Sequence, residues 1–221
     1  MLAALEARDI AHIACLGDTV GYGPWPNECV ALVSDRCDIV VMGNHDERAA
    51  GLGSIEAFSS HAREAMVWTR ARLLEPTRSF LAGLPYREIR GAVVFAHSTP
   101  THPETWDYIF DSEAARHHLR AGNARLAFIG HSHLPAIFSD VRGALPPRAT
   151  AIDAASDRYV VNVGSVGQPR DGDPRACAVI WDGHAGTVEY LRVAYPVEET
   201  RRAITAAGLP AHLGDRLVDG R

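Results

Sequence analysis

The sequence predicts a layered α/β domain, and three observations predict it. Short apolar, β-branched runs alternate with stretches of helical periodicity along the chain. No repeat, low-complexity tract or shift in composition marks a linker, so one domain over 1–221 is expected. Hydrophobic residues make up 47% and charged residues 22%, a balance suited to one sizeable core and not to disorder.

Taken in order, residues 2–8 carry a helical pattern, and 10–16 (IAHIACL) read as a buried strand. Asn27 can cap a helix on which Val30, Val33 and Cys37 share a face. Residues 39–42 (IVVM) form a short buried strand. Ser54 precedes a long helix with Phe58, Ala62, Ala65 and Thr69 on one stripe and Trp68 beside it. Strands follow at 86–90 and 92–96, then a helix from Ser112 to Gly122. Further strands are expected at 125–129, 136–139, 159–163, 176–181 and 187–193, and a helix at about 197–207, stopped by Gly208. The Pro-, Ala- and Asp-rich run 140–158 reads as a loop or loose hairpin, and the tail after Pro210 has no strong pattern.

The net charge of −5 disfavours a general nucleic-acid binder. It leaves room for a phosphate substrate, because bound divalent cations would be the largest local charges in a site. Cys15, Cys29, Cys37 and Cys177 make no C-x-x-C pair, which points to reduced, structural cysteines. Glu6, Arg8 and Asp9 break any secretory apolar stretch, and no apolar run approaches the ~18 residues of a membrane helix. A soluble, cytoplasmic protein with no membrane partner is expected.

The chemistry lies where the buried strands stop. Residues 10–16 lead into Gly17-Asp18, and 39–42 into Gly43-Asn44-His45-Asp46. Residues 92–96 lead into His97, and 125–129 into Gly130-His131-Ser132-His133. Each piece alone has an ordinary explanation as a turn or a rim histidine. All of them in order, each behind a buried strand, converge on one place, because sites in α/β sheets assemble at the carboxyl ends of strands. Asp, Asn and His suit borderline divalent ions (Mn, Fe, Ni, Co or Zn). A carboxylate such as Asp18 can bridge two ions about 3.5–4 Å apart, as two-metal hydrolases require. His45, next to a ligand, can stand over a phosphoryl group and protonate a leaving oxygen, with Asp46 orienting it.

This motif series resembles that of calcineurin-like metallophosphoesterases, and 17–28 (GDTVGYGPWPNE) with 162–176 (NVGSVGQPRDGDPRA) is similar to small, single-domain bacterial members. The resemblance covers about 2–195 and implies a four-layer αββα sandwich of two mixed sheets flanked by helices. It implies that Asp18 bridges two metals, that Asn44, His97 and His131 complete one site, and that His133 binds the other metal. His45 would be the transition-state histidine and Asp46 its partner. The activity implied is hydrolysis of small phosphomonoesters or phosphodiesters, nucleotides among them, by a metal-activated hydroxide.

At its front the sequence departs from the family, whose members open with a strand and an Asp-x-His motif. None precedes Asp18 here, so one metal site would keep only Asp18 and His133, and this form would hold one ion well. The departure leads to the expectation of a missing first strand, with about twenty further residues upstream of Met1. Its alternative is a catalytically impaired metal-binding or interaction domain. Outside the motif series, Tyr22 in the GYGPWP loop and Arg170 after NVGSVG are candidate substrate contacts, Arg170 as a bidentate phosphate donor. His102 lies in the loop after His97, near the mouth of the site. His117 and His118 are adjacent on a helix and face different ways.

Overall fold

The computed structural model describes all 221 residues. In chain order the elements are α1 (Leu2–Glu6), β1 (Ala14–Cys15), α2 (Pro26–Arg36), β2 (Ile39–Val40), α3 (Asn44–Ala50), α4 (Ser60–Arg72) and α5 (Glu75–Ala82). Then come β3 (Arg87–Arg90), β4 (Val93–Ala96), α6 (Ser112–Ala121), β5 (Leu126–Ile129), β6 (Ala136–Ser139), β7 (Gly143–Leu145), β8 (Thr150–Ala151) and β9 (Tyr159–Asn162). The chain closes with β10 (Ala176–Asp182), β11 (Thr187–Val193), α7 (Val197–Ala206) and α8 (Ala211–Asp219).

A six-stranded mixed sheet in the order β3-β4-β5-β9-β6-β7 is the spine of the fold. Its central strands β5 (LAFI) and β9 (YVVN) are buried at every residue, as strands covered on both faces must be. One face, with Val94, Ala127, Ile129, Phe138 and Val160, packs on Ala115 and Leu119 of α6. The other face, with Leu126, Phe128, Ile137, Tyr159 and Val161, packs on Leu16, Val41, Ile152 and Val188. Val188 lies in β11, and Leu16, Val41 and Ile152 directly follow β1, β2 and β8, the strands of a second layer in two pieces, the parallel pair β1-β2 and the antiparallel set β10-β11-β8. β11 pairs with β8 only at Thr187 and Val188, and Arg8, in the turn after α1, forms an ion pair with Glu189 of β11 at 2.8 Å. Beside β1-β2, helices α2 to α5 gather around Val20, Val30, Ala49, Met66 and Leu81. The αββα order expected of the resemblance is present, with its second strand layer in two pieces.

Several boundaries differ from the sequence expectation, each for a local reason. The strand expected at 10–16 is only Ala14–Cys15, because the Ile13 amide is taken by the Asp38 carboxylate at 2.9 Å instead of a neighbouring strand. α2 starts at Pro26 without a side-chain cap. Asn27 instead stitches the α4–α5 corner, donating to the Arg72 carbonyl and accepting from the Leu74 amide, each at 2.9 Å. α4 starts at Ser60 under the Ser59 cap, not at Ser54, although Ala62, Ala65 and Thr69 are buried as expected. Asp111, one residue before Ser112, caps α6 through two 2.9 Å bonds. The loose run 140–158 holds the short strands β7 and β8.

The tail after Pro210, which carries no strong sequence pattern, is helical. Leu213 and Leu217 of α8 join Ile204 of α7, Ala65 of α4 and the Tyr22 ring in one apolar cluster. The Trp68 indole donates to the Ala207 carbonyl at 2.8 Å and locks the pair of helices to α4. No helix is long and apolar enough to cross a membrane.

Candidate metal centre

β1 and β2 run parallel to each other, as do β4 and β5, so their carboxyl ends deliver Asp18, Asn44, His97 and His131 to the same rim. The approach is tight. A Cβ at Gly43 would lie 2.2 Å from Asp18 Oδ1, so only glycine lets the two loops meet. Asp18 then accepts the His45 amide at 2.8 Å, which fixes the start of α3 against the carboxylate.

The ring nitrogens point to a shared ion. His97 Nδ1 lies 2.7 Å from the Leu16 carbonyl, and His131 Nε2 lies 2.9 Å from the Trp106 carbonyl. A carbonyl only accepts, so in neutral rings those nitrogens carry the protons and the opposite ones expose lone pairs. The lone-pair atoms, His97 Nε2 and His131 Nδ1, are 3.1 Å apart, and His97 Nε2 is 3.2 Å from Asp18 Oδ2. One ligand atom from each of Asp18, His97 and His131 lies within 4.8 Å of the others. Such atoms repel unless a proton or a cation lies between them. The backbone carbonyls behind both histidines set tautomer and orientation, as they do behind metal-bound imidazoles.

Asn44 supports the same conclusion. Its side-chain Oδ1 is buried without a hydrogen-bond partner, which costs ~1–3 kcal/mol unless something positive satisfies it. Carboxylate, amide oxygen and two imidazoles fit a borderline divalent ion.

The electrostatics agree. Burial opposes ionisation of Asp18, but the charges of His97 and His45 outweigh it and hold the carboxyl below its usual range. His97 is pushed down by burial yet raised overall by Asp18. His131 is lowered to about 4 by burial and the charge of His97, and His133 to about 3 by burial and the charge of Arg170. Both rings are neutral near pH 7, the form that binds a metal.

His45, whose amide bonds to Asp18, is buried, its ring 4.6 Å from Tyr22 and 4.8 Å from Phe58, with Nδ1 unpartnered. A Cβ at Gly21, where φ is +104°, would lie 2.5 Å from that Nδ1. Asp46 does not orient this ring, as the sequence suggested. Its carboxylate accepts the Gly43 amide at 3.0 Å and the Val20 amide at 3.2 Å, so it ties α3 to the loop after β1. Burial, then the Asp18 charge, raises its pKa.

His133 stands outside the Asp18–His97–His131 cluster, with Nδ1 2.6 Å from the Gln168 carbonyl. Arg170 is tied to the same loop by its amide on the His133 carbonyl at 3.3 Å, and its guanidinium donates to Gln168 Oε1 at 2.8 Å. His102 is exposed beside Glu104, and His118 is bonded to Thr101 Oγ1 at 2.6 Å. Asp18, Tyr22, Trp106, His131 and His133 all have φ between 51° and 63°. Left-handed backbone is uncommon for Asp and His and costly for Tyr and Trp, and such strain gathers at functional sites.

Sequence reasoning missed Trp106, Gln168 and Tyr108, whose ring stacks on His131 at 4.0 Å. The first two act through backbone carbonyls, for which residue type gives no signal.

The chain is similar to known proteins along most of its length. The family model for the calcineurin-like phosphoesterase superfamily domain matches residues 1–183. The uncharacterised protein MJ0912 of Methanocaldococcus jannaschii is 37% identical over 221 residues, covering 98% of this chain and 90% of that protein. The crystal structure of a metallophosphoesterase from Sphaerobacter thermophilus superposes with a TM-score of 0.87 at 38% identity, over 100% of this chain and 93% of that one. A hypothetical protein, PH1004, from Pyrococcus horikoshii OT3 shares the fold alone, with a TM-score of 0.77 at 17% identity over 100% of this chain and 90% of that one. A match over most of the chain, with the donor cluster in place at the strand ends, makes this protein a member of the calcineurin-like phosphoesterase superfamily.

Proposed function

We propose that the chain hydrolyses small phosphomonoesters or phosphodiesters, nucleotides among them, by direct displacement at phosphorus without a covalent enzyme intermediate. The observation that carries this is the Asp18–His97–His131 cluster with His45, its amide bonded to Asp18 and its Nδ1 buried without a partner. Asp18, Asn44, His97 and His131 would hold a divalent ion (Mn, Fe, Ni, Co or Zn). When bound, such an ion lowers the pKa of water and draws charge from phosphoryl oxygens.

The remaining steps belong to side chains. Burial holds the His45 pKa down, so its ring is neutral near pH 7 and donates from one nitrogen to a phosphoryl or leaving oxygen. Tyr22 and Phe58 fix the plane of that ring. The Arg170 guanidinium offers charge-assisted bonds to substrate oxygens. The free cysteines fit a reducing compartment, and we read the chain as a cytoplasmic enzyme. A second reading, a binding domain with poor turnover, is favoured by the separation of His133 from the cluster, which leaves one well-built ion site.

The test is turnover of p-nitrophenyl phosphate and bis(p-nitrophenyl) phosphate by Mn-loaded protein, with metal content measured alongside. His45→Ala is expected to lose ~10²–10⁴-fold in turnover while keeping its metal. Protein that holds an ion yet hydrolyses neither ester faster than His45→Ala overturns the proposal in favour of the binding domain.

A further inference from the structure

Helix α3 meets the metal centre through Asn44, with its buried oxygen, and through the His45 amide on Asp18. Glu47 gives it a third hold. It follows Asn44 by about one turn, so the two side chains leave the same face of α3. Glu47 is 9% exposed, and a buried carboxylate is costly unless donors surround it. Here they do. The Tyr86 hydroxyl donates to its Oε1 at 2.8 Å, the Trp106 indole N–H donates to its Oε2 at 3.1 Å, and Arg48 pairs with that second oxygen.

Trp106 passes this hold on to two histidines. Its carbonyl accepts from His131 Nε2 at 2.9 Å, and its ring stands edge-on to the His97 ring at 6.0 Å. The Tyr86 ring at 5.7 Å and the Arg48 guanidinium at 5.9 Å flank the same indole. The Trp106 backbone is left-handed, with φ 59°, a conformation that a bulky residue keeps only where its surroundings over-determine it. The Trp106 amide offers little restraint, with one bond of 3.4 Å to the Pro103 carbonyl. The indole–Glu47 bond is therefore what fixes where the Trp106 carbonyl points.

We infer that Glu47 is a positioning residue for the ion. Through the Trp106 indole it aims the Trp106 carbonyl at His131, keeps the ring proton on Nε2, and leaves the Nδ1 lone pair facing His97 and Asp18. One helix then holds every side of the centre: Asn44 directly, Asp18 through the His45 amide, and His131 through Glu47 and Trp106. The inference rests on the metal centre and not on the reaction proposed there.

Two readouts on the full chain decide it, the ring-nitrogen NMR spectrum of His131 in EDTA and titration with cobalt(II). Trp106→Phe keeps an aromatic ring and removes the indole donor, whereas Glu47→Leu removes the acceptor. Each should spread the His131 proton over both nitrogens, weaken cobalt(II) binding by about tenfold and shift its visible bands. The double variant should bind no more weakly than the weaker single one, since both changes cut one link. Glu47→Gln can still accept the indole N–H, so it should keep the native tautomer and stay within about threefold in affinity. Affinities for Trp106→Phe and Glu47→Leu within about twofold of the native chain, with the proton still on Nε2, overturn the inference. Weaker binding with an unchanged tautomer overturns it too, because that is general loosening of the site. If Glu47→Leu fails to fold, Trp106→Phe decides the question alone. Native protein that binds cobalt(II) but hydrolyses no ester loses the phosphoesterase reading and leaves the role of Glu47 to these two readouts.

Discussion

The depressed pKa of His133 makes the stability of the metal-free protein depend on pH in a way one substitution can isolate. Burial, then the positive charge of Arg170, lowers this ring from 6.5 to about 3. In the unfolded chain it takes up a proton near its ordinary value, whereas in the native chain it stays neutral until far lower pH. The unfolded state therefore binds more protons between those values, and stability falls as pH drops through that window. At about 1.4 kcal/mol per unit, going from about pH 7 to about pH 5 costs the native chain roughly 2 kcal/mol through this group. Asp46, whose pKa is raised, works in the opposite direction, so the total curve mixes signs. The difference between native protein and His133→Asn removes that background. Urea unfolding in EDTA at the two pH values should show the native chain losing about 2 kcal/mol relative to the variant. Arg170→Gln should shrink the loss, since it removes the second cause of the shift. A relative change under about 0.5 kcal/mol would refute both the burial of the ring and its pairing with the Arg170 charge.

Asn44→Ala removes the buried, unpartnered oxygen, so metal-free stability should hold or rise while the ion content measured by elemental analysis drops. Unchanged ion content would remove Asn44 from the ligand set. Gly21→Ala puts a Cβ 2.5 Å from His45 Nδ1 at φ +104°, and should destabilise by more than about 1 kcal/mol and displace the ring. An unshifted histidine resonance with full turnover would contradict that. Leu213→Ala, at a position 1% exposed, should cost about 2–5 kcal/mol and loosen α8, read as lost amide protection across 211–219. Protection equal to that of the native chain would show that the cluster is not what holds the helix.

The strand ends were legible because two independent patterns coincide there, a buried apolar run and a glycine or ligand directly after it. Asp18, Asn44, His97 and His131 needed no tertiary information to be named. His45 was named for its place beside Asn44, and its backbone amide bonds to the Asp18 carboxylate. Asp46 was assigned to the wrong partner because adjacency in sequence says nothing of direction. At the start of α3 its carboxylate turns to the Gly43 and Val20 amides, which would otherwise be left unsatisfied. Caps were misplaced by a few residues for a similar reason. Asn27 and Asp111 have the same capping chemistry, and only packing decides that one bridges two helices while the other starts one.

The sequence by itself determined the layer class, the central strands and the identity of the donor cluster, since these rest on hydrophobic periodicity and residue type, which are local. Tertiary structure decided what rests on distance. It joined Asp18 to His97 and His131 and left His133 apart. It recruited the backbone carbonyls of Leu16, Trp106 and Gln168 to set the histidine tautomers, a role to which side-chain identity is blind. It also folded the unpatterned tail into α8, where nine residues with a glycine among them are too few to form a helix in water. Contact with α7 and Tyr22 makes that helix stable.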